Sequence, residues 1–253
     1  MNPANHTVHA EWTKFHSVRS TWWSVATTVV LMIGYAGLAA LSVRLGGDEG
    51  LTAQGAVVGG TFYLGQFAVV TLATLVITSE YATGSIRATL QWMPRRGGVL
   101  LAKAAVLAPV AFVLGVLCAG VGVAIAIPLI DGYGPPTSAG GAVQTTLATG
   151  GYFALLSLFC LGVGTALRST AGTITVVTLI LLMVPILLGG LGLDAVTQFF
   201  PGLAGTNAMV SGVSPVLGLP MPYPSWLGLP ICAVWSAGAL ALGHVLLRKR
   251  DAA

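Results

Sequence analysis

Four charged side chains, Glu80, Arg87, Arg95 and Arg96, stand close together in residues 78–98, TSEYATGSIRATLQWMPRRGG, with long apolar runs on both sides. One carboxylate among bases, without a histidine or cysteine in the stretch, suits ion pairing and docking at a membrane surface rather than bond-making. No catalytic constellation is legible elsewhere: the chain holds no Walker-type phosphate loop, no HExxH and no GxSxG. His6, His9 and His16 have no supporting Cys or carboxylate cluster in metal-ligand spacing. Cys118, Cys160 and Cys232 all fall in apolar runs, where an odd number of thiols reads as inert packing rather than a disulfide framework. The chain is therefore expected to be no enzyme by itself and to bind no cofactor or metal.

Composition sets the class of element that must carry these charges. Hydrophobic residues make up 55% of the 253 and charged residues 7%, against about a quarter charged in soluble domains. The mean hydropathy is +0.89. Such a chain has too few charges for a soluble surface and reads as an all-α integral membrane protein forming a single transmembrane domain, 1–253. A bilayer core of about 30 Å requires roughly 20 apolar residues as helix. Six stretches qualify: 22–43, 55–78, 100–127, 142–167, 171–193 and 226–247. None contains Asp, Glu, Lys or Arg except the third, where Lys103 lies just inside the start and its stem is expected to snorkel to the interface.

Charge placement orients the bundle. With the N-terminus in the cytosol, one side collects Lys14, Arg19, Arg87, Arg95, Arg96, Lys103, Arg168, Arg248, Lys249 and Arg250, and the other only Arg44. Both termini are thus expected in the cytosol, in a multi-pass protein of the cytoplasmic membrane. The net charge of +4 reports topology and does not call for nucleic acid.

Before the first span, Val8, Trp12, Phe15, Val18 and Trp22 recur at intervals of three and four, with Glu11, Lys14, His16, Ser17 and Arg19 around the rest. This predicts an amphipathic helix over 5–21, lying flat in the headgroup layer with membrane lipid as its partner. Residues 80–92 predict a short cytosolic helix, about three turns from Glu80 to Leu90, stopped by Pro94 and Gly97-Gly98. Glu80 and Arg87, two turns apart, share a face, and Glu80 is expected to pair with Lys14 or Arg19. In the third span, Gly115 and Ala119 favour close helix approach. Spans four and five are joined only by Arg168-Ser169-Thr170, so they must pack side by side, with Ser169 or Thr170 as the cap. Residues 195–225 hold no charge but five prolines, and predict short helices dipping partway into the outer leaflet under protein cover.

Ionisable groups at membrane depth mark proton and ion paths. The spans offer none away from the interface, His244 lying one turn from the inner end of the sixth. Uphill transport would therefore draw its energy from a separate motor, because the cytosolic loops are too small to form an ATPase.

Three stretches, AEWTKFHSVRSTWW, EYATGSIRATLQWMPRRGGVLLAKA and ALRSTAGTIT, together with six spans and the apolar insert before the last, resemble the permease subunits of type-2 ABC exporters. That class includes antibiotic, lipid and polysaccharide exporters. The resemblance covers nearly the whole chain through the order and spacing of its parts; the individual motifs are loose. It implies an exporter of an apolar or amphipathic drug, lipid or peptide. A separate ABC ATP-binding subunit, carrying the ATP and Mg, would drive it, and a second permease copy or sister permease would complete a dimer. The helix bearing Glu11, Trp12, Lys14, Phe15 and Arg19 becomes the connecting helix. The ATPase contact becomes Glu80, Tyr81, Thr83, Gly84, Ile86, Arg87 and Leu90 of the coupling helix, with Arg168 as a second touch point. Residues 195–225 become the re-entrant pair that caps the exit. The second and fifth spans would line the path, with Phe62, Tyr63, Gln66, Phe67, Thr173, Thr178 and Met183 as candidate cargo contacts. The residues leave rivals open: a stand-alone channel or facilitator, a membrane-embedded lipid enzyme, and a non-transporting sensor or immunity protein.

Overall fold

The computed structural model describes residues 3–46, 50–85 and 96–249. The chain opens with α1 (Pro3–Ser17). Long helices follow: α2 (Arg19–Arg44), α3 (Ala53–Ala82), α4 (Arg96–Ile130), α5 (Ala139–Leu167) and α6 (Thr170–Gly190). Two short helices, α7 (Asp194–Thr197) and α8 (Pro201–Met209), precede the last long one, α9 (Gly228–Lys249). Among the described residues, six helices are long and apolar enough to cross a membrane. Even the shortest, with 21 residues, measures about 31 Å at 1.5 Å per residue, the thickness of a bilayer core. The described residues include no strand beyond one antiparallel bridge, Val213–Pro220.

Side-chain oxygens start the helices where the sequence changes from loop to apolar run. Thr52 accepts from Gly55 N (3.0 Å) before α3, Ser138 from Gly141 N (3.1 Å) before α5, and Ser169, the expected cap, from Gly172 N (3.3 Å) before α6. Within α3 the run Thr61–Gly65 winds as π-helix, and within α6 the run Leu179–Met183 does the same.

Two expected boundaries move. The leading helix stops at Ser17 rather than continuing to residue 21. Val18 is extended (φ −90°, ψ 119°), and Arg19, expected on the leading helix, opens α2. The orphan carbonyls at the end of α1 explain why the turn holds, since the Trp22 indole donates to His16 O at 3.1 Å. The helix expected over 80–92 does not begin at Glu80: Glu80 and Tyr81 form the last turn of α3, which ends at Ala82, with Gly84 at φ +71° after it. Ile86, Arg87 and Leu90 lie outside the described residues, as do Arg95 and the remainder of that segment.

The fourth long helix, α5, is the centre of the bundle, with 72% of its apolar window buried against 22% for α2, α6 and α9. Around it the core joins Met32, Leu72, Leu107, Phe153, Leu161 and Leu181. Small residues let the backbones touch. A Cβ on Gly115 would fall 2.8 Å from Gly150 Cα, and one on Gly162 would fall 2.4 Å from Ala239 C, so α4 and α9 both cross α5 at glycine. Ser236 Oγ lies 2.7 Å from Leu155 O of α5 and 2.8 Å from Cys232 O of its own helix. Ser236→Ala is expected to cost about 0.6–2 kcal/mol, the range for interhelical hydrogen bonds in membrane proteins, read as a shift in SDS-denaturation of the purified chain.

Helix α8 lies inside protein: all nine of its residues are buried. Its entry at Pro201 suits a first-turn proline. A Cβ on Gly202 would stand 2.7 Å from Leu181 O, and one on Gly228 would stand 2.3 Å from Ala204 O, so α6 and α9 clasp the helix. Its last carbonyls find donors on α5, Gln144 Nε2 at 3.1 Å from Ala208 O and Thr145 Oγ1 at 2.7 Å from Met209 O.

Candidate functional site at the basic end of the bundle

The bundle has two rims. At one, Arg44 stands 5.7 Å from the centre of the Tyr133 ring. At the other, α1, the end of α3, the start of α4, the α5–α6 turn and the end of α9 come together. There a Cβ on Gly97 would lie 2.6 Å from His244 Cε1, and Thr170 Oγ1 donates to Thr78 Oγ1 at 2.8 Å. This second rim carries the candidate site.

Its centre is an ionic cluster. Lys103 Nζ donates to Glu11 Oε2 (2.7 Å) and Glu80 Oε1 (2.8 Å), and Lys14 Nζ donates to Glu80 Oε1 (3.0 Å) and Glu11 Oε1 (3.2 Å). Two ammonium groups thus face two carboxylates, from α1, α3 and α4. The Glu80–Lys14 pair is the one expected from the sequence. Lys103 corrects an expectation: it is 1% exposed and does not snorkel, because two carboxylates meet it inside the bundle. The lysine could not be buried without them, since an unpaired charge there would carry its full desolvation cost. Burial alone would lower the Lys14 pKa; the hydrogen bond and charge of Glu80, with those of Glu11, outweigh it and raise the pKa above its usual value.

The leading helix therefore presents an unexpected face. Glu11 is buried and Phe15 is half-buried against the core, whereas Trp12, Val18 and Trp22 are exposed. The stripe read from the sequence is therefore split, with Val8 and Phe15 half-buried and Trp12 exposed, while the carboxylate looks in.

Arg168 lies at the same rim as the C-cap of α5, at φ +56° and ψ 18°, the one left-handed non-glycine among the described residues. Its guanidinium stands 5.4 Å from the centre of the Tyr81 ring. Left-handed backbone costs about 1–2 kcal/mol for L-residues, and a cation–π contact returns about 0.5–1. Arg168→Gly is expected to leave the thermal midpoint nearly unchanged, relief of the left-handed strain offsetting the lost ring contact, while Arg168→Ile, which loses the contact and adds a β-branch at positive φ, lowers stability by at least about 0.5–1 kcal/mol. Unfolding of the detergent-solubilised chain checks both. Thr83 and Gly84 make the turn after α3, exposed, beside Tyr81.

The candidate cargo contacts do not share one surface. Phe62, Gln66 and Thr173 are buried within the single chain, Phe67 and Thr178 are half-buried, and Tyr63 and Met183 are exposed. Gln66 is held from two sides: its Nε2 donates to Phe62 O, and its Oε1 accepts from Tyr152 Oη at 2.6 Å. Thr173 Oγ1 donates to Ser169 O at 2.7 Å. Gln66 thus faces α5 through Tyr152.

No protein-family model matches the chain, and none of the curated proteins matches it significantly.

Proposed function

We propose that this chain is the membrane-embedded permease of an ATP-driven exporter of the type-2 ABC kind, moving an apolar or amphipathic cargo out of the cytosol. The observation that carries the reading is the cluster of Glu11, Lys14, Glu80 and Lys103, which ties α1 to the adjoining ends of α3 and α4. A motor protein pressing on that rim would move three helices together, and rigid-body movement of helices is how a local push becomes a gate. The concentration of basic residues at this rim supports its placement in the cytosol, with both termini there. ATP and Mg would be bound by the partner ATPase, which would dock on the turn after α3 and on the Arg168 turn. The exposed faces that carry Tyr63 and Met183 are where a second permease copy, or a sister permease, would complete a path.

The test is purification of the full chain from its native membrane in mild detergent, followed by an ATPase assay of the eluate and identification of what co-elutes. A soluble ATPase with a phosphate-binding loop is expected, and Arg168→Glu is expected to release it. Vesicles holding this polypeptide alone that concentrate cargo against a gradient would overturn the proposal.

A further inference from the structure

A groove of about 440 Å³ runs between α5, α6 and α9, within the range of small-ligand sites, about 300–1,000 Å³. Leu167, Gly238 and Leu242 line it and are exposed, so it opens on the outside of the bundle. Its lining side chains are hydrocarbon but for one N–H, on Trp235, and that one is already bonded: Nε1 donates to Phe199 O at 3.0 Å. A polar ligand would find no partner among these side chains. The groove is also short and stopped at one end. Along α5 it runs from Leu167, the last residue of the helix, to Phe159, about 12 Å at 1.5 Å per residue. That is less than half of a bilayer core of about 30 Å. At the deep end Trp235 packs against the rings of Phe159 (centres 6.1 Å apart) and Phe200 (5.6 Å), which halts the groove beneath the insert. A partner helix crossing the membrane would need a seat along its whole length. A single hydrocarbon chain entering from the leaflet at the basic rim needs only this depth.

The mouth carries charge. Gly238, Leu242 and Lys249 stand four and then seven residues apart on α9, so they share one stripe of the helix. Lys249, exposed, lies about 10 Å beyond Leu242 along the axis, at headgroup depth. Side chains on a helix lean toward its N-terminus, which turns the Lys249 stem back toward the mouth. Arg248, also exposed, adjoins it. Arg168, next to Leu167, has its guanidinium over the Tyr81 ring. The carboxylates at this rim, Glu11 and Glu80, are held by Lys103 and Lys14. Arg250 and Asp251, of opposite charge, lie outside the described residues. The charge at the mouth therefore suits an anionic head.

We propose that this groove holds one acyl chain of an anionic phospholipid from the leaflet at the basic rim, its phosphate at Lys249 and Arg248. The site needs only the membrane-crossing helices and no motor subunit, so it is independent of the transport reading.

The full chain in mild detergent is titrated with phosphatidylglycerol or phosphatidylcholine of matched acyl chains, and native mass spectrometry counts the lipids retained. The first phosphatidylglycerol is expected to bind about fivefold or more tighter than the first phosphatidylcholine, the contribution of a basic residue or two at a membrane surface. Lys249→Gln is expected to weaken phosphatidylglycerol about fivefold and leave phosphatidylcholine unchanged. Gly238→Trp fills the groove. A Cβ there meets nothing within 4 Å, so the ring enters open space, and tryptophan is the better helix former. It is expected to weaken the first binding step of both lipids about tenfold or more. Gly34→Trp is the matched control, an exposed glycine of α2 whose Cβ likewise meets nothing within 4 Å, and is expected to change neither. Equal affinity of the wild type for the two lipids, or Gly238→Trp behaving like Gly34→Trp, overturns the proposal. So does Gly238→Trp dissolving a dimer while lipid binding stays intact, which would assign the groove to a second copy.

Discussion

Lys103→Met is expected to destabilise the purified protein by about 3–5 kcal/mol, the cost of breaking a buried ion pair from one side. Methionine fills much of the same volume, so packing loss is small and the effect isolates the charge. Without Lys103, Glu11 and Glu80 keep only Lys14 between them among the described residues, and Lys14 is 48% exposed, too far toward water to neutralise two buried carboxylates. Lys14→Met removes the outer ammonium instead and is expected to cost no more than about 1 kcal/mol, as pairs reaching solvent do. The double variant Lys103→Met/Glu80→Gln should recover a large part of the loss, because removing both partners leaves fewer uncompensated charges. A double-mutant cycle on SDS-denaturation curves yields the coupling. Proteolysis within α1 should rise with Lys103→Met, since the cluster is what fastens that helix to α3 and α4. A Lys103→Met cost no larger than that of Lys14→Met would show that the helix is held by something else.

The same cluster marks how far the sequence could be read. In a chain with 18 charged residues among 253, a carboxylate at the end of an apolar run must find a base, and the leading helix offered Lys14 and Arg19; Lys14 is the one that pairs. Lys103 had two ways to satisfy its charge, reaching outward or meeting an acid inside. Nothing local to it distinguishes them, because Glu11 is 92 positions away. The six long helices were legible because unbroken apolar length has one use in a helix. Their ends were less so: Glu80 looked like the start of a new helix, yet a paired carboxylate can continue an old one, and the chain bends only where Gly84 allows a left-handed turn. Which face a helix buries was not legible where all faces are apolar. Phe62, Gln66 and Thr173 were placed on a path for that reason, and in the single chain all three are buried. The polar residues that hold the 194–225 insert, Gln144, Thr145, Gln198, Asn207 and Tyr223, stood out from no pattern, since each earns its role through a partner distant in sequence.

That insert carries the second large expected effect. Gly205→Val should cost about 2–6 kcal/mol and loosen α8 from the bundle. A Cβ on Gly205 would fall 2.2 Å from Tyr152 Cδ2 and 2.4 Å from Cε2, so the ring would have to move. It has nowhere to go: Tyr152 is 1% exposed, and its hydroxyl is fixed to Gln66 Oε1 at 2.6 Å. Overpacking accounts for about 1–3 kcal/mol, and pulling the hydroxyl from a buried amide oxygen adds about 1–3. Gly151→Ala is the control, since the nearest atoms to its Cβ all belong to the Leu229 side chain, Cδ1 at 2.9 Å and Cδ2 at 3.4 Å, the end of a flexible side chain that can rotate aside. Tyr152→Ala combined with Gly205→Val should be less damaging than the two single costs added, because the space left by the ring accepts the new methyl groups. Cysteine labelling at Ser211→Cys, which follows α8, reads the loosening directly and should accelerate with Gly205→Val but not with Gly151→Ala. Gln66 sits directly after the π-helical turn of α3 and bonds back into it, so Tyr152 joins that turn on one side to α8 on the other. A shift of α3 would therefore reach the insert through a single buried ring, and additive costs in the cycle would mean that the two are not connected there.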